Sequence, residues 1–152
     1  MATYYLKSTD SDLTGGADFS KEVSAGAVAA GSIAVSVANS STETSYAFTK
    51  PHKPSNAAWG TWGGTVKVNV TTAVANMFLA VQFDRVNSAG TVQESSTATA
   101  EQQLSSTGVF TFTVASKAWS TGACGDRLRI RFIFRSANSH GGALSVTIET
   151  GT

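Results

Sequence analysis

Four strand-like apolar runs constrain the fold more than any other feature, and all but Met77 to Phe83 follow a period-two alternation of apolar and polar residues. They are Val66-Lys67-Val68-Asn69-Val70, Met77 to Phe83, Val109 to Val114 and Leu128-Arg129-Ile130-Arg131-Phe132-Ile133-Phe134. Successive side chains of an extended strand point to opposite faces, so such stretches form sheets with one apolar side. Helical spacing of apolar residues is nearly absent. Read in full, the alternation places strands near Thr3 to Lys7, Ser32 to Ala38, Thr44 to Thr49, Thr65 to Thr71, Met77 to Val86, Thr91 to Ala100, Val109 to Val114, Arg127 to Arg135 and Ala143 to Glu149. That is about nine strands.

One-sided sheets bury their apolar faces best against each other, which predicts an all-β, antiparallel β-sandwich. The inward sets are Ile33, Val35 and Val37; Val66, Val68 and Val70; Phe110, Phe112 and Val114; Leu128, Ile130, Phe132 and Phe134; and Leu144, Val146 and Ile148. Met77 to Val86 is apolar on both faces, as expected of a strand that is central or covered by a neighbouring subunit. Hairpins alternate with longer crossings, as at Arg85 to Val92 and Ala115 to Asp126, which suits a jelly-roll or Greek-key path better than a meander. The glycine-bounded stretches are too short to separate two cores, so residues 1–152 are expected to form one domain.

Composition narrows the function classes. Half of the 152 residues are Ser, Thr, Ala or Gly, and only 14% are charged. A Ser/Thr/Gly-rich chain with no long apolar strands would suggest disorder, but the four runs above supply a core. A net charge of +1 gives no bulk electrostatic reason to bind nucleic acid or an anionic membrane. No run approaches the roughly 20 apolar residues of a membrane span. The start, Met1 to Lys7, lacks the basic and apolar regions of a secretory signal, so synthesis in a cytoplasm is expected. Cys124 is the sole cysteine, so packing rather than disulfides must hold the fold.

No motif points to catalysis or to a cofactor. His52 lies in Lys50-Pro51-His52-Lys53-Pro54 and His140 in a glycine turn, and neither forms a nucleophile or zinc pattern with Cys124. Asp10, Asp12 and Asp18 cluster beside Gly15-Gly16, a weak calcium candidate whose plain reading is a solvated turn. Arg127, Arg129 and Arg131, with Arg135, alternate onto one outer sheet face. There they either dock an acidic partner or are balanced by strand carboxylates such as Asp84 or Glu149. Trp59 and Trp62, in a glycine-rich loop entering the Val66 strand, would stack on sugar rings, bury at a subunit contact, or cap the open end of the sandwich. Phe78, on the second apolar face of its strand, joins Trp59, Trp62 and the three arginines as a candidate partner or oligomer contact.

Three stretches together carry a family resemblance: Met77 to Val92, then Gly108-Val109-Phe110-Thr111-Phe112-Thr113-Val114, then Gly125-Asp126-Arg127-Leu128-Arg129-Ile130-Arg131-Phe132-Ile133-Phe134-Arg135. This order of long strand, hairpin, "G-x-F-T-F-T" strand and "G-D-R-L-R" strand resembles jelly-roll domains of tailed-bacteriophage virion proteins, especially capsid decoration subunits. The resemblance covers residues 77 to 135 and carries no functional residue across. It implies a non-catalytic virion protein, made in the host cytoplasm, that binds a major capsid protein or another virion protein. It also implies a symmetric homo-oligomer, with a trimer favoured; the near-neutral net charge is what argues against a nucleic-acid or membrane partner. The alternative is a carbohydrate-binding module that uses exposed tryptophans.

Overall fold

In the computed structural model, which describes residues 5–13, 19–24, 30–49, 59–137 and 143–150, the described residues form eleven strands and no helix. In chain order they are β1 (Tyr5–Asp10), β2 (Ser20–Ser24), β3 (Gly31–Val37), β4 (Thr42–Phe48), β5 (Gly60–Thr72), β6 (Met77–Val86), β7 (Val92–Ser95), β8 (Gln102–Gln103), β9 (Gly108–Trp119), β10 (Arg127–Ser136) and β11 (Leu144–Thr150). One sheet has the order β1-β2-β4-β10-β6-β7, with β8 also pairing β6, and the other has the order β3-β11-β5-β9. Strands β3, β11, β5 and β9 facing β4, β10, β6 and β7 trace two Greek keys, which is the jelly-roll order. The hairpin β1–β2 extends the first sheet beyond β4. Within it, β2 runs parallel to β4, the one parallel pairing among the described residues.

The core lies between the sheets, as the period-two reading requires. Ile33, Val35 and Val37 of β3, Val68 and Val70 of β5, Phe112 and Val114 of β9, and Val146 and Ile148 of β11 pack into one cluster with Leu79, Val81, Phe83, Ile130, Phe132 and Phe134 of the opposite sheet. Phe19, just before β2, sets its ring 5.5 Å from that of Phe132 and so ties the N-terminal hairpin to the same core. β6 is central, with β10 on one side and β7 and β8 on the other; Leu79, Val81 and Phe83 face the core, and the outward Phe78 ring is covered by the Arg135 guanidinium.

Several strand boundaries differ from the sequence expectation: β1 runs on to Asp10, and β2 and β8 were not expected. The segment Thr91 to Ala100 is a strand only over Val92–Ser95. Beyond that it follows the β6 edge through hydroxyls: Phe83 N–H donates to Ser96 Oγ and Val81 N–H to Thr99 Oγ1, both at 3.0 Å. Ser and Thr side chains compete in this way with a regular ladder. The segment Ala115 to Trp119, expected as loop, continues β9 and pairs with Gly60 to Trp62 of β5, which was also expected as loop. The shift in register between Trp62 and Gly64 makes room for this extension. A Cβ at Gly63 would lie 2.5 Å from the Val114 carbonyl, so only glycine allows the two strands to approach there.

Candidate functional site

Alternation along β10 sends Leu128, Ile130, Phe132 and Phe134 into the core and Arg127, Arg129, Arg131 and Arg135 to the outer face. Pairing then decides the fate of those charges. Register places Asp84 of β6 directly opposite Arg129. Arg129 donates from Nε at 2.8 Å and Nη2 at 2.6 Å to Asp84 Oδ2, and Arg131 Nε reaches the same oxygen at 3.1 Å. Ser95 of β7 donates to Asp84 Oδ1, and the Arg129 guanidinium lies 4.2 Å from the centre of the Tyr46 ring. Asp84 is fully buried and the Arg129 side chain is 8% exposed, whereas Arg131 retains 27%. Glu149, the other expected counter-charge, belongs to β11 in the opposite sheet and accepts a hydrogen bond from Asn69 Nδ2 at 2.6 Å. The arginine face is therefore balanced by Asp84 and not by Glu149.

Arg127 is held by the N-terminal segment. Its Nη1 and Nη2 donate to the two carboxylate oxygens of Asp12 at 2.6 and 2.7 Å, a bidentate pair that keeps Asp12 below the usual carboxylate range. Arg127 Nε is buried and has no partner among the described residues. Asp10 accepts from Lys21 at 2.6 Å. Two of the three expected calcium ligands thus serve as counter-ions to basic side chains; Asp18, like His52 and His140, lies outside the described residues. No group of three or more His, Cys, Asp or Glu that could hold a metal ion occurs among the described residues.

The tryptophans meet at one end of the sandwich. The Trp62 ring stacks on Trp119 at 5.0 Å and 17°, Trp59 lies 6.0 Å from Trp62, and Trp62 continues to Phe83 at 5.8 Å. Trp119 Nε1 donates to the Trp62 carbonyl at 3.1 Å. Of the readings open for Trp59 and Trp62, this arrangement matches the cap over the end of the core, with both rings half-buried.

Beside this cap sits a charged group that sequence reasoning missed. Arg85 donates to Asp126 at 2.6 Å and to Glu94 at 3.3 Å, and Glu94 also accepts from Lys117 at 3.2 Å and the Ser120 N–H at 2.8 Å. Burial raises the Glu94 pKa, but the Ser120 amide, Lys117 and the Ser120 hydroxyl outweigh it and bring it to about 2. Arg85 and Glu94 face each other across the β6–β7 hairpin, so hairpin pairing was the available signal. Phe78 lies in register with Arg135, whose guanidinium sits 4.5 Å from its ring centre and pairs with Glu101 at 2.6 Å.

Strand order and internally paired charges together define an all-β jelly-roll sandwich whose outer face is cross-linked by its own ion pairs. No family model matches the chain, and no curated protein resembles it in sequence. Among solved structures it is similar to a chain from infectious bursal disease virus, Gx strain, with 12% identity and a TM-score of 0.41. The likeness covers 95% of this chain and 37% of the viral one, so the chain spans well under half the length of its neighbour.

Proposed function

We propose that the chain is a non-catalytic virion structural protein, a capsid decoration subunit that grips a viral shell through one end or edge of the jelly roll. The observation that carries this reading is the strand order β3-β11-β5-β9 against β4-β10-β6-β7. That order is widespread among viral capsid domains. The phage-like stretches of residues 77 to 135 supply β6, β7, β9 and β10, and so span both sheets of this framework. The charges are satisfied within the chain, with Asp84 on Arg129 and Glu94 on Lys117 across strands and Asp126, just before β10, on Arg85, which leaves none of them to hold a substrate. On this reading the major capsid protein is the partner, copies of the chain associate with one another, and the protein resides in the virion.

Co-sedimentation with capsids of the parent virus tests the proposal. Saturable binding in regular register is expected. Protein that neither sediments with capsids nor self-associates at any ionic strength would overturn it.

A carbohydrate-binding module is the second reading, because jelly rolls also build lectins and the Trp59 and Trp62 rings stay half-exposed. A glycan array reports on it. Signal lost in the Trp59→Ala/Trp62→Ala variant supports sugar binding, and no signal with wild type excludes it.

A further inference from the structure

β9 closes one side of its sheet, and along Val109 to Ser116 it carries no ionised side chain and no proline. Edge strands are normally blunted by charge, proline or a covering segment, because their outward N–H and C=O groups would template pairing with another chain. Along Val109 to Ser116 the only side-chain hydrogen bond that a described residue makes to the main chain is from Gln102 Nε2 to the Thr111 carbonyl, at 2.7 Å; farther along β9, Lys117 Nζ donates to the Ala118 carbonyl at 3.1 Å. The Gln102 bond also fixes the orientation of the strand. The Thr111 carbonyl points away from β5, so by the two-residue period the main-chain groups of Val109, Thr111 and Thr113 face outward. Their side chains lie on the exposed face, where Val109 is 62% exposed, the largest exposure of any bulky apolar residue described.

About Thr111 the strand is locally symmetric in kind: Phe110 and Phe112 flank it, and the next positions out, Val109 and Thr113, are both β-branched, whereas Gly108 and Val114 differ. We infer that β9 pairs antiparallel with β9 of a second copy of this chain across a two-fold axis at Thr111, joining the two four-stranded sheets into one. Each outward-facing residue then exchanges N–H and C=O with its mirror mate. Thr111 meets Thr111, Val109 meets Thr113, and the half-buried Phe110 meets Phe112. No like charges come together, and the cross-strand pairs are β-branched or aromatic, the combinations that stabilise sheets. Gln102 occupies the Thr111 carbonyl in the single chain and gives way when the second strand docks. The inference rests on the self-association included in the virion reading and names its surface; it is tested without any capsid, so a monomer that still binds capsids overturns the inference alone.

Sedimentation equilibrium over a concentration series, in a Cys124→Ser background, provides the test. A two-fold dimer is expected, weakened at least about tenfold by Thr111→Lys, which sets two ammonium groups face to face. Thr111→Pro should act likewise, since it removes an outward N–H and leaves the β5 ladder intact. Gln102→Ala should tighten the dimer. Thr111→Cys should oxidise to a covalent dimer, because directly opposed residues of a hydrogen-bonded pair lie about 5.5 Å apart. A protein that stays monomeric even as the Gln102→Ala variant overturns the inference. So does association that ignores both Thr111→Lys and Thr111→Pro, or that yields no Thr111→Cys cross-link.

Discussion

Asp84 and Arg129 face each other across β6 and β10 with two N–H donors of one guanidinium on a single carboxylate oxygen, at 2.8 and 2.6 Å. Neither is on the surface, although both belong to the outer face of the sheet. A pair so buried repays its desolvation only because further partners are supplied, here by Ser95, Arg131 and the Tyr46 ring.

Asp84→Ala should therefore destabilise the protein by about 3–5 kcal/mol, because it leaves a buried guanidinium without its counter-ion. The double variant Asp84→Leu/Arg129→Met should recover most of that loss. Urea unfolding of the three proteins measures both effects, and equal losses in the single and double variants would refute the account.

Acid should weaken the fold through Glu94. Its folded pKa, about 2, lies below the ordinary glutamate value of 4.5. The group then contributes stability above about pH 4.5 that disappears as pH falls through the folded value. Asp12 and Glu101, each lowered by an arginine, act with the same sign. Melting temperatures recorded between pH 7 and pH 2 should fall in that window. Glu94→Gln should melt lower at neutral pH and show a shallower fall.

Gly122 is buried against the tryptophan cap. A Cβ there would lie 2.2 Å from Trp59 Nε1 and 2.9 Å from Asp126 Oδ2. Gly122→Ala should cost about 1–3 kcal/mol as an overpacking substitution and shift the tryptophan emission, both readable in one fluorescence-monitored unfolding curve.

The Asp12–Arg127 pair fastens the β1–β2 hairpin region to β10. Asp12→Ala strands a buried cation whose Nε already lacks a partner, whereas Arg127→Met removes the charge together with its desolvation cost. Asp12→Ala should be the more destabilising of the two by about 1–2 kcal/mol. Hydrogen exchange should place the first loss of protection in β1 and β2.

Much of the fold was legible because one residue type per position was enough to read it. The inward sets of β3, β9, β10 and β11 follow from alternation, and Val35, Val37, Phe112, Phe134, Val146 and Ile148 all lie in the core. Strand ends were less legible. Gly60 to Gly64 reads locally as loop, but its pairing with β9 turns it into strand, with Gly63 at the bulge. β2 went unread because Ser20–Ser24 is short and mostly polar, so its hairpin with β1 shows no alternation and its parallel partner β4 is distant in sequence.

By itself, then, the sequence determined which side chains face the core and that two apolar sheet faces must meet, since both follow from the two-residue period of an extended chain. It also placed Arg127, Arg129 and Arg131 on one face. Only the tertiary structure decided what those arginines do. Their counter-charges come from Asp12, far along the chain, and from Asp84, which register alone brings opposite Arg129. Coulombic pairing depends on distance in space, and distance in space is set by which strands become neighbours. For the same reason Trp62 and Trp119, far apart in the sequence, stack at one end of the sandwich, while β9 is left at the edge of its sheet.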